Sequence, residues 1–203
     1  MKYLFVDSAT ANLVVAIIID GKIKYLFNEK MGKDMSVMIM PKIKEAFDNS
    51  DIKPQDINKI FVTTGPGSFT GIRVGLTSMK TMAWTLKIPV IPISSLEVIA
   101  SGTPDDNNIA LIDARRGYVF AGGYDKKLKS TYEDRHVLLS EIHEKGTFIS
   151  YDDIVGSVKP DIDILKVVKH HENDKSVNPH CLNPNYLKKT EAEEKLDDTR
   201  ICW

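Results

Sequence analysis

No histidine precedes His136, so a metal site in the first half of the chain would lack its usual imidazole ligands. Cysteine occurs only twice, as Cys181 and Cys202. Neither stands in a C-x-x-C or framework spacing, which argues against a disulfide scaffold and for free thiols in a reducing cytosol. No apolar run approaches the roughly 18 residues a membrane span needs. The opening M-K-Y-L-F-V-D is cut short by Asp7, too soon for a signal peptide, and a cytoplasmic protein is expected. Charge of one sign is also lacking: 27 Lys and Arg stand against 28 Asp and Glu, a net charge of −1. Unaided nucleic-acid binding usually needs a basic face, which this balance does not supply.

What is present reads as a soluble α/β protein. Hydrophobic residues make 42% of 203, enough for a sizeable core and one or two domains. Tyr3–Val6, Leu13–Ile19 and Ile23–Phe27 read as strands, with Asp20-Gly21 as the tight turn of a hairpin. Asp34 can cap a helix whose apolar positions are Met35, Ile39, Ile43, Ala46 and Phe47. Pro41 falls inside that pattern and predicts a kink or a late start. Ile60–Val62 is a short buried strand, and Val90–Ile93, with Pro89 and Pro92, an edge or terminal one. Ile109–Ile112, Tyr118–Tyr124 and Arg135–Leu139 repeat the pattern more weakly. Asp153–Asp163 is poorly patterned, and Glu191–Leu196 reads as a charged terminal helix. The segment Gly102–Asn108 is the best boundary, giving units 1–102 and 103–203.

The most specific stretch is Ile60–Gly75, I-F-V-T-T-G-P-G-S-F-T-G-I-R-V-G. It reads as strand, breaker cluster Gly65-Pro66-Gly67, then a helix capped by Ser68 or Thr70. Ile72, Leu76, Met79, Ala83 and Leu86 form one apolar face of that helix. Backbone amides at such a helix start attract anions, yet Lys-Ser/Thr does not follow the second glycine as in a Walker loop. Asp7, Gly65, Gly67, Ser68, Thr70 and Arg73 thus form either a phosphate loop or a purely structural turn.

The string G-P-G-S-F-T-G-I-R-V-G resembles the signature of the TsaB family, also called YeaZ. Three further segments are similar to that family in the same order: Phe5–Thr10, Ile112–Phe120 and Pro184–Lys188. Three meandering strands, then helix, strand, helix, strand, is the order of a ribonuclease-H-like unit, and the resemblance implies an actin-like fold of two such related units with the second one trimmed. It implies a non-catalytic subunit for threonylcarbamoylation of the adenosine next to the anticodon in tRNA. The partners implied are TsaD, the catalytic subunit, and TsaE, an ATPase, with tRNA met only through the complex. No intrinsic cofactor is implied, though ATP or ADP at the interface with TsaD is left open, as is a homodimer of the isolated chain. The runner-up is a phosphotransferase or ATPase of the same superfamily.

Individual residues follow from the same comparison. In actin-like ATPases the first turn is typically Asp-x-Gly-Thr; here it is Asp7-Ser8-Ala9-Thr10, and a Cβ at Ala9 crowds the turn. That favours Asp7 bonding turn amides over a metal–nucleotide role. TsaD resembles this fold and holds a metal through His-x-x-x-His on its first helix, whereas Met35 stands where TsaB proteins often keep one histidine. The spacings of His136, His143, His170, His171 and His180 match no zinc pattern, so no metal is expected. Arg73 has two readings, an ion pair with a carboxylate such as Asp7 or contact with a phosphate or partner. Arg115-Arg116-Gly117 reads as a turn between strands. Val37, Met38, Val74 and Met82 lie off the apolar stripes of the first two helices, and Gly71, Gly75 and Ser78 would admit another helix. In the family these helices look like the docking surface for TsaD, and these seven residues are the expected contacts.

Overall fold

The computed structural model describes residues 1–188; the expected terminal helix at Glu191–Leu196, and Cys202, lie outside the described residues. The first sheet holds five strands: β1 (Lys2–Asp7), β2 (Asn12–Ile19), β3 (Lys22–Lys30), β4 (Lys59–Gly65) and β5 (Val90–Ser94). Their order is β3-β2-β1-β4-β5. β1 pairs antiparallel with β2 and parallel with β4, the ribonuclease-H-like arrangement. α1 (Met35–Ser50) joins β3 to β4 and α2 (Phe69–Leu86) joins β4 to β5. The β2–β3 turn is made by Asp20 and Gly21, both at positive φ, the twist-matched geometry favoured in two-residue hairpins.

Both faces of the inner strands are covered, which is why β1 and β2 are nearly continuous apolar runs, whereas the edge strand β3 is mostly exposed. Leu4, Val6, Leu13, Val15, Ile17, Ile60 and Val62 pack against Ile39, Ile43, Ile72, Leu76 and Met79 from α1 and α2. The alternate residues Tyr3, Phe5, Val14, Ala16, Ile18 and Phe61 face the other way. They meet Val98 of α3 (Ser95–Ala100) and Ile164, Val167 and Val168 of α4 (Ile164–His171).

The second sheet is smaller: β6 (Asn108–Asp113), β7 (Tyr118–Tyr124), β8 (Ser130–Leu138) and β9 (Thr147–Ile149). Its order, β8-β7-β6-β9, with β6 and β9 parallel, repeats the first four positions of the first sheet. Only a 3-10 turn at Leu139–Glu141 lies between β8 and β9, where the first unit carries α1. Leu96, Ile99 and Ala100 of α3 pack on Ala110, Ile112, Tyr124 and Ile149. α3 is thus buried at every residue, a wedge between the two sheets. The segment after α4 turns back to the first unit: Leu182 enters its core, and the Asn185 amide donates to the Thr64 carbonyl at 2.8 Å.

Pro41 neither delays nor stops α1, which runs from Met35 through it. The N–H it lacks would have reached the carbonyl of Val37. Pro41 and Val37 are both exposed, so water can serve that carbonyl. Ser68 caps α2, its Oγ accepting from the Gly71 amide at 3.2 Å; Asp34, at the start of α1, makes no side-chain cap.

Gly71 and Gly75 are buried and do not await another helix. A Cβ on Gly71 would strike the Ser8 carbonyl, and one on Gly75 the Ser8 Oγ. They let α2 settle on the turn that follows β1, and the two are corrected here from partner contacts to internal ones. Gly71→Ala therefore reverses the usual helix preference. Alanine normally exceeds glycine in a helix by about 1 kcal/mol, but overpacking costs about 1–3 kcal/mol. A urea titration should show the variant less stable than wild type, and equal or greater stability would contradict the close approach.

Candidate functional site: the helix pair and the glycine loop

The glycine loop is closed upon itself. The Ser68 amide donates to the Ala9 carbonyl at 2.7 Å, and the Ser8 hydroxyl donates to the Gly71 carbonyl at 2.9 Å. Gly67 sits at φ +150°, and a Cβ there would fall on the Ala9 carbonyl. The Ser68 amide, which at an anion-binding helix start would face the ligand, is instead bonded to the β1–β2 turn. Beyond the loop a cleft of about 440 Å³ separates Thr10, Ser68 and Thr70 from Asp113, Arg115 and Asp152 of the second unit. Arg115 and Arg116 both stand at positive φ. The Asp113 carboxylate accepts from the Arg115 amide at 2.8 Å, which helps hold a backbone that non-glycine residues resist.

Asp7 is fully buried beneath this turn. One oxygen, Oδ1, accepts from the Ala9 amide at 2.8 Å and the Thr63 hydroxyl at 2.7 Å. Among the described residues the other, Oδ2, has no hydrogen-bond partner. Burial pushes its pKa up from 3.8 to about 6, against the pull of those two donors. The folded protein therefore holds the proton more tightly than the unfolded chain does. Stability falls as pH rises from about 3.8 through about 6 and is level above, a loss on the order of 3 kcal/mol. Asp7→Asn should flatten this stretch of the stability–pH curve in urea titrations; an unchanged slope would place the effect elsewhere.

Arg73 is not paired with Asp7. It donates from Nε to the Tyr186 hydroxyl at 2.9 Å, and its guanidinium lies 3.7 Å from the Phe69 ring centroid. Phe69 in turn stacks on Tyr186 at 5.0 Å. The expected cation of the loop is thus a clasp that fastens the Pro184–Lys188 segment to α2. Lys80 adds to it, its Nζ donating to the carbonyls of His180 and Leu182.

The outer side of α1 and α2 is different in character. A groove of about 800 Å³ runs between them, floored by Met40, Ile43, Phe47, Ile52, Met82 and Leu86. Thr77, Ser78, Thr81 and Thr85 of α2 line its polar side. Val37 is 69% exposed and Met40 53%, while Met38, Val74 and Met82 are half-buried against the core. Met35 and Met79 are core residues. Ser78 and Met82 among the seven expected contacts line the groove; Met40, Ile52 and the threonines are not among those seven. The i, i+4 spacing of Thr77, Thr81 and Thr85 is the signal that could have marked that face.

Comparison with known proteins now bears on this geometry. The family model for TsaD, described as tRNA N6-adenosine threonylcarbamoyltransferase, matches residues 28–151. The tRNA threonylcarbamoyladenosine biosynthesis protein TsaB of Bacillus subtilis (strain 168) is 31% identical, covering 96% of this chain and 97% of its own length. The chain belongs to the TsaB family. The TsaB protein of Escherichia coli (strain K12) is 32% identical over 71% of this chain and 66% of its own. YeaZ from Pseudomonas aeruginosa shares the fold, with a TM-score of 0.79 at 18% identity, covering 92% of this chain and 99% of that one. Among the described residues no helix is long and apolar enough to cross a membrane.

Proposed function

We propose that the chain serves tRNA threonylcarbamoyladenosine biosynthesis as a non-catalytic cytoplasmic subunit that docks on TsaD through the outer face of α1 and α2. The observation that carries this reading is the apolar groove between those helices, edged by the exposed side chain of Met40. A large exposed apolar patch on a soluble protein marks a partner surface. TsaE joins the pair, and the tRNA is held by the assembly, since a net charge of −1 gives this chain little attraction for phosphate backbones. ATP or ADP, where the assembly takes one up, lies at the surface shared with TsaD. The glycine loop is poorly suited to it, because the Ser68 amide is bonded to Ala9.

Two features support the non-catalytic part of this reading. Asp7, the carboxylate of the first turn, is sealed from solvent. The first half offers no histidine. Purified chain alone is expected to hydrolyse no ATP and transfer no threonylcarbamoyl group. Turnover that disappears in Asp7→Ala would overturn that claim.

The docking surface is tested by mixing the chain with TsaD and measuring mass by size-exclusion chromatography with light scattering. Wild type should form a heterodimer. Met40→Asp places a carboxylate where apolar contact is expected, and burying an unpaired charge is costly. Affinity should drop by about tenfold or more, about 1.4 kcal/mol, while the melting temperature stays within a degree or so of wild type, as for other exposed substitutions. Normal binding by both Met40→Asp and Thr81→Arg would put the interface on another face.

A further inference from the structure

α3 and the last turn of α4 bring together three side chains that the function above does not use. Glu97 of α3 is only 6% exposed. Its Oε1 lies 2.8 Å from Nε2 of His171, a residue 74 positions away. His170, exposed on the same turn of α4, stands with its ring perpendicular to that of His171, centroids 4.8 Å apart. One ligand atom from each of Glu97, His170 and His171 lies within 4.8 Å of the others. We propose that these three residues bind one divalent transition-metal ion of the zinc class, with Asp174 orienting His171 from behind.

The chemistry of the donors leads there. Nδ1 of His171 lies 2.7 Å from Asp174 Oδ2. Metal-binding histidines characteristically donate the other ring N–H to a carboxylate, which fixes the tautomer and turns the free nitrogen to the metal. With Nδ1–H directed at Asp174, the lone pair of Nε2 faces the lone pairs of Glu97 Oε1. A cation must join them, and both a proton and a metal ion can do so. His170 decides between the two: a proton shared by two atoms has no use for a third donor, whereas zinc takes three protein ligands and a water. Two imidazoles and one carboxylate suit zinc, cobalt or nickel better than magnesium or calcium, which prefer oxygen. Tetrahedral bonds of about 2.0–2.2 Å set ligand atoms roughly 3.3–3.5 Å apart, so the Glu97–His171 pair, at 2.8 Å, must part slightly while His170 draws in, a movement its exposed side chain can supply.

Asp174 adds a second carboxylate at His171, and the C-terminal end of α4 carries the negative pole of the helix, set against Lys169, an exposed cation of that turn. The ion would tie α4, which lies on the first sheet, to the wedge helix α3. It would thus fasten the returning chain at the junction of the two units.

The test uses the full chain carrying Cys181→Ser and Cys202→Ser, so that thiols cannot supply ligands, after treatment with a chelator. Titration with Co²⁺ should give one binding event per chain and the intense visible absorption of a four-coordinate site. Saturating Zn²⁺ should raise the melting temperature. His170→Ala leaves the His171–Glu97 pair in place and removes only an exposed ring; it should weaken Co²⁺ binding by about tenfold or more. His143→Ala, away from the cluster, should bind as before. Equal affinity in His170→Ala, or weak absorption typical of six-coordinate cobalt, would show that a proton alone holds this cluster, and the proposal would fall.

Discussion

The contact on which the first unit depends is the seating of α2 on the turn after β1. Gly67, Gly71 and Gly75 present bare backbone to Ser8 and Ala9, and at each of them a single added carbon would meet an atom of that turn. Hydrogen bonds then fix the approach from both sides, Ser68 to Ala9 and Ser8 to Gly71. With α2 this close, Ile72, Leu76 and Met79 reach the sheet, and Asp7 is sealed below. The far side of α2 is correspondingly fixed beside α1, so the groove between them inherits its shape from the glycines opposite. A string that resembles a phosphate loop here acts first as a spacer of minimal thickness.

Much of this could be read from the sequence because it is local. The inner strands β1 and β2 are apolar along most of their length, since alternate residues face two different cores. Asp20-Gly21 announced its hairpin and Ser68 its cap, each by a short-range hydrogen-bond or φ preference. What escaped was decided at a distance. Gly71 and Gly75 looked like an open face because nothing in their spacing tells an external helix from Ser8. Nothing in the spacing of Arg73 chooses between a carboxylate such as Asp7 and a phosphate or partner, and the hydrogen bond it makes is to Tyr186, 113 residues on. The helices α3 and α4 went unmarked. α3 is six residues long and buried all round, so it has no amphipathic period, and α4 shows only Ile164, Val167 and Val168 as a stripe. The histidines, unpatterned in sequence, acquire meaning only once α4 is laid against α3.

α3 also explains how two sheets behave as one body. Its Val98 belongs to the core of the first sheet, while Leu96, Ile99 and Ala100 belong to that of the second. At its start Ser94 donates to Asp134 Oδ2 and Tyr124 to Asp134 Oδ1, so that β8 and β7 are bonded to the end of β5. The Ser95 hydroxyl reaches the Pro66 carbonyl of the glycine loop. A displacement of either sheet would have to be carried through a helix with no exposed residue.

The return of the chain after α4 has a consequence for the order in which the protein is made. Every strand of the first sheet has been synthesised by Ser94, yet neither of its cores is then complete. One lacks Leu182 and the other lacks Ile164, Val167 and Val168. A nascent chain emerging N-terminus first therefore carries an unfinished sheet, with Phe5, Phe61 and their neighbours uncovered, while the whole second unit is translated. Such long-range closure is slow and leaves apolar surface open to wrong partners in the interval. The last segment, fastened by Arg73, Lys80 and Asn185, acts as the closing stitch. Until it is drawn tight, the core around Leu4, Val6 and Ile60 lacks its last apolar side chain, Leu182.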